Sequence, residues 1–343
     1  MLNLCLACSA LDKSLDSFYQ LTPEQILKAI ESLGLGCTGY QLGLNSYENR
    51  VYQIGIEGAD SLVAKFYRPK RWDDAAILEE HDFTLELEGL DIPVVPPIQV
   101  CGSTLHHYEG YRFSLYPLRA GRAPDLENTV QLEQLGRFMG RIHALGATQP
   151  FKHRLSLNVQ SFGDVPYDYL LDHGFIPSEL EASYESLVEG ILNRIEEIFA
   201  ATKPTMIRVQ GDAHPGNILW KRGLQGECGT PYILDFDDAC MAPAVQDLWM
   251  FLSGDKADME RSLNILLKAY TQFYGFDTAE LRLIEPLRTL RILHHAGWLA
   301  RRWQDPVFKH SFPWFNTVNY WQEHILILKE QAALLDEEPL QWM

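Results

Sequence analysis

Val209-Gln210-Gly211-Asp212-Ala213-His214-Pro215-Gly216-Asn217-Ile218-Leu219-Trp220 carries the strongest chemical signal in the chain. Its core is D-x-x-x-x-N, made by Asp212 and Asn217. Asp235 follows eighteen residues after Asn217, in Ile233-Leu234-Asp235-Phe236-Asp237-Asp238. Phosphoryl transfer needs such a set. One carboxylate orients the attacking hydroxyl and takes its proton, while an amide oxygen and a second carboxylate hold Mg²⁺ against the phosphates. Mg²⁺ takes hard oxygen ligands and few protein contacts, which Asn217 and Asp235 can supply. The competing reading is a pair of polar turns, because Gly-Asp and Pro-Gly-Asn are common turn residues. The two halves in this order and spacing favour chemistry. Strand-like runs at Met206–Gln210 and Tyr232–Phe236 flank the segment.

This pattern resembles the protein-kinase-like fold shared by aminoglycoside phosphotransferases, choline kinases and bacterial homoserine kinases. Their catalytic loop reads H-G-D-x-H-x-x-N and their metal motif I-D-F/W-(D/E). The resemblance extends over nearly the whole chain from about residue 20. Leu44-Asn45-Ser46-Tyr47-Glu48-Asn49-Arg50-Val51-Tyr52, Lys65-Phe66-Tyr67-Arg68-Pro69 and Pro243–Met250 look more specifically like the bacterial stress-response Ser/Thr kinases of this fold. The resemblance implies an α+β, bilobal architecture: a small antiparallel-sheet N-lobe with one main helix, and a large helical C-lobe. It implies Asp212 as catalytic base, Asn217 and Asp235 as Mg²⁺ ligands, and ATP as co-substrate. One departure is plain. The first His of H-G-D is Gln210 here. That His is usually a scaffold residue, so the change bears on local hydrogen bonding more than on activity.

The preceding segment supplies matching parts. Short runs rich in Val, Ile, Tyr and Phe at 40–44, 50–56 and 61–67 read as strands, followed by a helical period over 73–89 with Ile77, Leu78, Phe83 and Leu87 as core contacts. Lys65 lies in Leu62-Val63-Ala64-Lys65-Phe66, with its side chain on one face. That suits a lysine holding α/β-phosphates, although an edge-strand surface lysine is the plain alternative. A buried lysine needs a partner. The resemblance points to Glu80, and the adjacent Glu79 sits about 100° away around a helix. Gly34–Gly39 is a literal G-x-G-x-x-G, but it follows a helix and precedes a strand, the reverse of a dinucleotide fingerprint. It reads as a helix end and connector. The phosphate-covering turn is expected at Asn45–Asn49, with Ser46 donating to phosphate oxygens and Arg50 either adding charge or forming a structural ion pair. Adenine is expected against residues 115–119, which include Tyr116. Further strands are expected at 98–101 and 111–116.

Beyond Asp125 the pattern becomes helical, at 126–145, 178–200, 259–274, 278–303 and 315–335. The expected division is therefore an extension over 1–20, an N-lobe over 21–116, a hinge over 117–124 and a helical C-lobe over 125–343. Thr22-Pro23-Glu24-Gln25 reads as a capped helix start. Asp247 is expected to brace the catalytic loop through backbone N–H groups, or to cap the helix that follows. Only nine residues separate it from Asp237, and no A-P-E follows, so a long activation loop with a phosphoswitch is not expected there. His214 is expected to donate to the backbone. His294, His295, Arg301, Arg302, Trp298 and Trp303 read as core or cleft wall.

The chain of 343 residues holds 46 Asp and Glu against 29 Lys and Arg, a formal charge of −17. That surplus works against a nucleic-acid partner. The 46% apolar content is that of a globular protein. Among six cysteines only Cys5 and Cys8 form a C-x-x-C, with no second pair at zinc-ribbon spacing. No apolar run approaches the ~20 residues of a membrane span, and the first residues lack a charged n-region. A cytoplasmic monomer with no membrane partner is expected. The partners are ATP and either a protein Ser/Thr or a small alcohol. A small-molecule kinase and a non-catalytic ATP-binding regulator are the alternatives.

Overall fold

The computed structural model describes residues 21–221 and 229–342. The expected extension over 1–20, the Cys5/Cys8 pair and Cys228 lie outside the described residues. The chain divides into two compact units, Met1–Gly89 with Val94–Ala120, and Leu90–Pro93 with Gly121–Met343.

In the first unit, helix α1 (Pro23–Glu31) begins as its sequence dictates. Thr22 Oγ1 accepts from Gln25 N and Gln25 Oε1 accepts from Thr22 N, a reciprocal capping box with Pro at the first position. Strands β1 (Cys37–Gly43), β2 (Arg50–Ile56), β3 (Leu62–Phe66), β4 (His106–Tyr108) and β5 (Tyr111–Pro117) form an antiparallel sheet in the order β1-β2-β3-β5-β4. Its apolar face, with Ile54, Ala64, Phe66, Phe113 and Leu115, closes on Ile26, Ala29 and Ile30 of α1. Helix α2 (Asp74–Gly89) buries Ile77, Phe83 and Leu87. Two expectations fail here. Leu78 is exposed rather than core, because the buried stripe runs through Ile77, Glu80, His81 and Thr84, and one residue turns the side chain off it. Residues 98–101 form no strand. Cys101 and Gly102 take positive φ, folding Val100 back onto Ser103 in a single bridge, and pairing resumes at β4.

The second unit is helical with two short ladders. Helix α3 (Thr129–Gly146) lies close against α6 (Lys256–Tyr270), because a Cβ at Gly136 or Gly140 would overlap the carbonyls of Leu266 or Tyr270. Helices α4 (Val165–Asp172), α5 (Ser178–Thr202), α7 (Ile284–Arg301), α8 (Pro306–Ser311) and α9 (Val318–Leu334) complete the layer. The long helix expected over 278–303 is a 3₁₀ turn, Thr278–Leu283, followed by α7; the one expected over 315–335 is α9, and the short α8 precedes it. Strand β6 (Ile207–Val209) pairs antiparallel with β9 (Cys240–Ala242), and β7 (Ile218–Lys221) with β8 (Thr230–Ile233). A sheet-bearing unit with one long helix and a helical unit with small ladders give the α+β architecture its form. No helix among the described residues is long and apolar enough to cross a membrane.

Candidate active site

Two ladders put the Asp212–Asn217 stretch and the Asp235 motif side by side. Val209↔Cys240 ends one ladder and Ile218↔Ile233 begins the other, so segments 210–217 and 234–239 cross the same gap between them. The crossing is tight. Gly211 sits at φ +88° with its α-carbon against the Asp238 carbonyl, leaving no room for a Cβ. Asp235 takes φ +49° at an exposed position, with Asp237 N 3.4 Å from its Oδ1.

Gln210 resolves the departure from the family motif. It is wholly buried. Its Oε1 accepts from Asp212 N at 2.8 Å, and its Nε2 donates to Leu234 O at 3.1 Å and Asp235 O at 2.7 Å. One amide therefore ties the backbone of the proposed base to that of the proposed metal ligand. An imidazole has two ring nitrogens where this amide uses three bonds.

Asp247 is also wholly buried, in the 3₁₀ turn Ala244–Asp247. Its carboxylate accepts from Gln210 N and Gly211 N, each at 2.8 Å, which is the loop brace expected from the sequence. His143 Nε2 lies 3.1 Å from the same carboxylate, and His143 Nδ1 lies 2.9 Å from the Tyr270 hydroxyl. The α3–α6 glycine contact makes that reach possible. Gln246 Nε2 adds a bond to Gly211 O at 2.8 Å. Glu280 accepts from Val245 N at 2.9 Å, and burial pushes its carboxyl up to about 7. Residues 239–249 are buried without a break, so no exposed activation loop lies in that segment.

Asp212 itself is one-fifth exposed. Asn217 Nδ2 donates to Asp212 O at 2.9 Å and lies 3.4 Å from Asp212 Oδ2. With the amide hydrogens committed there, Oδ1 is the group Asn217 offers elsewhere. A hard amide oxygen and an exposed carboxylate fit Mg²⁺ bound chiefly through substrate phosphates. His214 differs from expectation: its Nδ1 accepts from Gly216 N at 3.0 Å rather than donating, which leaves Nε2 as the protonated nitrogen, 3.5 Å from Asp212 Oδ2. Two residues near this loop were not foreseen. Arg154, buried, donates Nε to Ala239 O at 2.8 Å and binds the Asp237 carbonyl, shaping the turn after Asp235. Arg291, on α7, forms an ion pair with Asp212 Oδ1. Its partner lies 79 residues away, beyond any local pattern.

In the first unit Lys65 is buried on β3, opposite Val51 and Ser114, with Nζ 5.3 Å above the Tyr67 ring. Glu80 is buried on α2, whereas Glu79 is half-exposed. The buried Tyr67 phenol is pushed up by desolvation; Glu80 adds to that and Lys65 opposes it, so both charges act at one spot. Tyr116 reaches the Tyr67 hydroxyl at 2.9 Å. Ser46 is half-buried in a turn pinned from outside: Arg68 donates to Glu48 O at 2.8 Å and Tyr47 O at 3.1 Å, and its N–H reaches Asn49 Oδ1 at 3.0 Å. The G-x-G-x-x-G run is a helix end and strand start, with Gly34 and Gly39 at positive φ.

Residues 41–284 match the model of the phosphotransferase enzyme family. Stress response kinase A of Escherichia coli strain K12 is 40% identical over 335 residues, covering 96% of this chain and 98% of that protein. The protein named serine/threonine protein kinase RdoA of Salmonella typhimurium strain LT2 is 40% identical over 325 residues, covering 95% and 97%. Among solved structures, the amicoumacin kinase hAmiN in complex with AMP-PNP, Ca²⁺ and Ami superposes with a TM-score of 0.69 at 20% identity, over 95% of this chain and 97% of that one. A microcompartment-associated aminopropanol kinase gives 0.70 at 14%, over 92% and 99%.

Proposed function

The chain belongs to the phosphotransferase enzyme family and is a kinase of the stress-response type; from that premise we propose that it moves the γ-phosphoryl group of Mg-ATP to a Ser or Thr hydroxyl of a protein. The observation that carries this reading is the single buried amide of Gln210 joining Asp212 to Asp235, with Asp247 bracing the same loop. Such a frame holds a base and a metal carboxylate in fixed relation, which positioning-dominated phosphoryl transfer requires. The name of the RdoA relative supports a protein acceptor.

In the proposed reaction Asp212 orients the acceptor hydroxyl and takes its proton. The hydroxyl oxygen bonds to the γ-phosphorus as the bond to the β–γ bridging oxygen breaks, and ADP leaves. Asn217 and Asp235 would hold Mg²⁺, which when bound offsets charge on the phosphates. Lys65, aligned by Glu80, binds the α/β-phosphates; the Ser46 turn covers them; Tyr116 and its neighbours receive the adenine. The test is transfer of labelled phosphate from ATP, with GTP as control donor, to a protein mixture and separately to a panel of small alcohols. Asp212→Asn and Asp235→Ala should each abolish labelling. Wild-type rates in Asp235→Ala would refute the metal assignment, and labelling of alcohols alone would refute the protein acceptor.

A further inference from the structure

Arg291 is one member of a row. Arg288, Arg291, His295, Trp298 and Arg302 follow at intervals of three, four, three and four residues along α7 and its cap. At 3.6 residues per turn they share one face. The first two reach residues outside the helix, and the last three touch one another. Arg288 lies over the Trp249 ring at 5.4 Å, and Arg291 pairs with Asp212. His295 stacks on Trp298 at 5.6 Å, and the Arg302 guanidinium lies 5.4 Å from the Trp298 ring. Arg288 also pairs with Glu285 at 3.3 Å, so in a chain of charge −17 the arginines of this face from the proposed base onward are Arg291 and Arg302.

The Asp212–Arg291 pair has a consequence for the acceptor. Oδ1 of Asp212 faces the guanidinium, and Oδ2 faces His214 and Asn217. A hydroxyl approaching Oδ1 competes with Arg291 for that oxygen. The guanidinium cannot shed its charge, and it is less than half exposed. Released, it needs another anion, and its planar fork fits a carboxylate or phosphate in bidentate fashion.

We propose that this face of α7 reads the acceptor, and that the acceptor is a Ser/Thr segment flanked by acidic residues, one of which takes Arg291 over from Asp212. The proposal rests on the protein-kinase reading above. From Arg291 to Arg302 the helix rises about 16 Å, the span of about five residues of extended peptide. One acid therefore sits beside the hydroxyl at Arg291, and a second lies up to about five residues away at Arg302, with Trp298 between them.

The test compares Ser peptides of one length carrying Glu, Ala or Lys at these two distances, as substrates for the wild type, Arg291→Gln and Arg302→Glu. The wild type should favour each acid by about fivefold in kcat/KM, the upper range for a partly exposed charge pair, and added salt should shrink the preference. Arg302→Glu should lose or invert the preference for the distant acid and keep that for the near one; Arg291→Gln should do the opposite. Equal rates on Glu and Lys peptides with the wild type overturn the inference while leaving the protein-kinase reading intact. Absence of label on every peptide, with small alcohols labelled, overturns both. A distant-acid preference unchanged in Arg302→Glu overturns the role of Arg302.

Discussion

Replacing Gln210 with Leu should cut phosphoryl transfer about a hundredfold in a chain that still folds. Leu nearly matches the volume of the wholly buried Gln side chain but makes none of its three bonds, at 2.7, 2.8 and 3.1 Å. The Asp212 N–H loses its acceptor, an omission worth about 1–3 kcal/mol. The carbonyls of Leu234 and Asp235 lose a donor but keep lone pairs for water, which adds less. A total of about 2–4 kcal/mol is tolerable against a typical stability of about 5–15 kcal/mol. Catalysis has no such reserve, because the lost amide fixes Asp212 relative to Asp235, and a shift of about 1 Å can cost about a hundredfold. The assays are urea denaturation, single-turnover transfer from ATP, and titration of Mg²⁺, whose half-saturation should rise. Gln210→His should fall between, serving two of the three bonds. A Leu variant within about 0.5 kcal/mol of wild type, with turnover within twofold, would show that the amide ties nothing together.

Three further outcomes follow from the same frame. Gly211→Ala puts a Cβ into the Asp238 carbonyl at φ +88°; it should destabilise by at least about 3 kcal/mol and reduce turnover, both read by thermal melting and kinetics. Asp247→Asn keeps one acceptor oxygen for two backbone N–H groups and His143, so chemical denaturation should show a loss of about 3–5 kcal/mol. Glu280 has a folded pKa of about 7 against 4.5 for the free group. The native state then holds more protons between those values, so its contribution is full below about 4.5 and is lost as pH rises through about 7, on the order of 3 kcal/mol. Denaturation at pH 5 and pH 8 should show this decline in the wild type and its absence in Glu280→Gln; equal slopes would refute the assignment.

Legibility in the sequence followed the range of the interaction. The α1 cap, strands β2 and β3, and the α2 core contacts Ile77, Phe83 and Leu87 are set by neighbours within a few residues, and their patterns read correctly. Asp247 was readable because the family resemblance supplied a role that composition does not. Strand β6 was legible in the run over 206–210, but its partner β9 is three residues long and pairs across a separation no periodicity marks. Arg154, Arg291 and Arg68 act on partners 83, 79 and 20 residues distant, through carbonyls and carboxylates. A surface arginine and a loop-shaping arginine look alike until the chain is folded. Leu78 erred for a smaller reason: within an acidic helix, a leucine one position off the buried stripe is counted with it.

The division of labour within the site explains why one frame can serve many acceptors. The side chains that brace the two loops from below are buried: Gln210, Asp247, His143, Gln246 and Arg154. Each is committed to the backbone or to another group in that set. The groups proposed to meet substrates, Asp212, Asn217 and Asp235, lie partly or fully open. The first set tolerates little change, since a missing partner strands a buried charge or N–H. Arg291 meets this frame through Asp212, and Trp298 and Arg302 beyond it contact each other, so those two can vary without loosening the loops. Acceptor choice can therefore shift along α7 while the phosphoryl-transfer apparatus stays fixed, which is the physical form of the rule that fold does not set substrate.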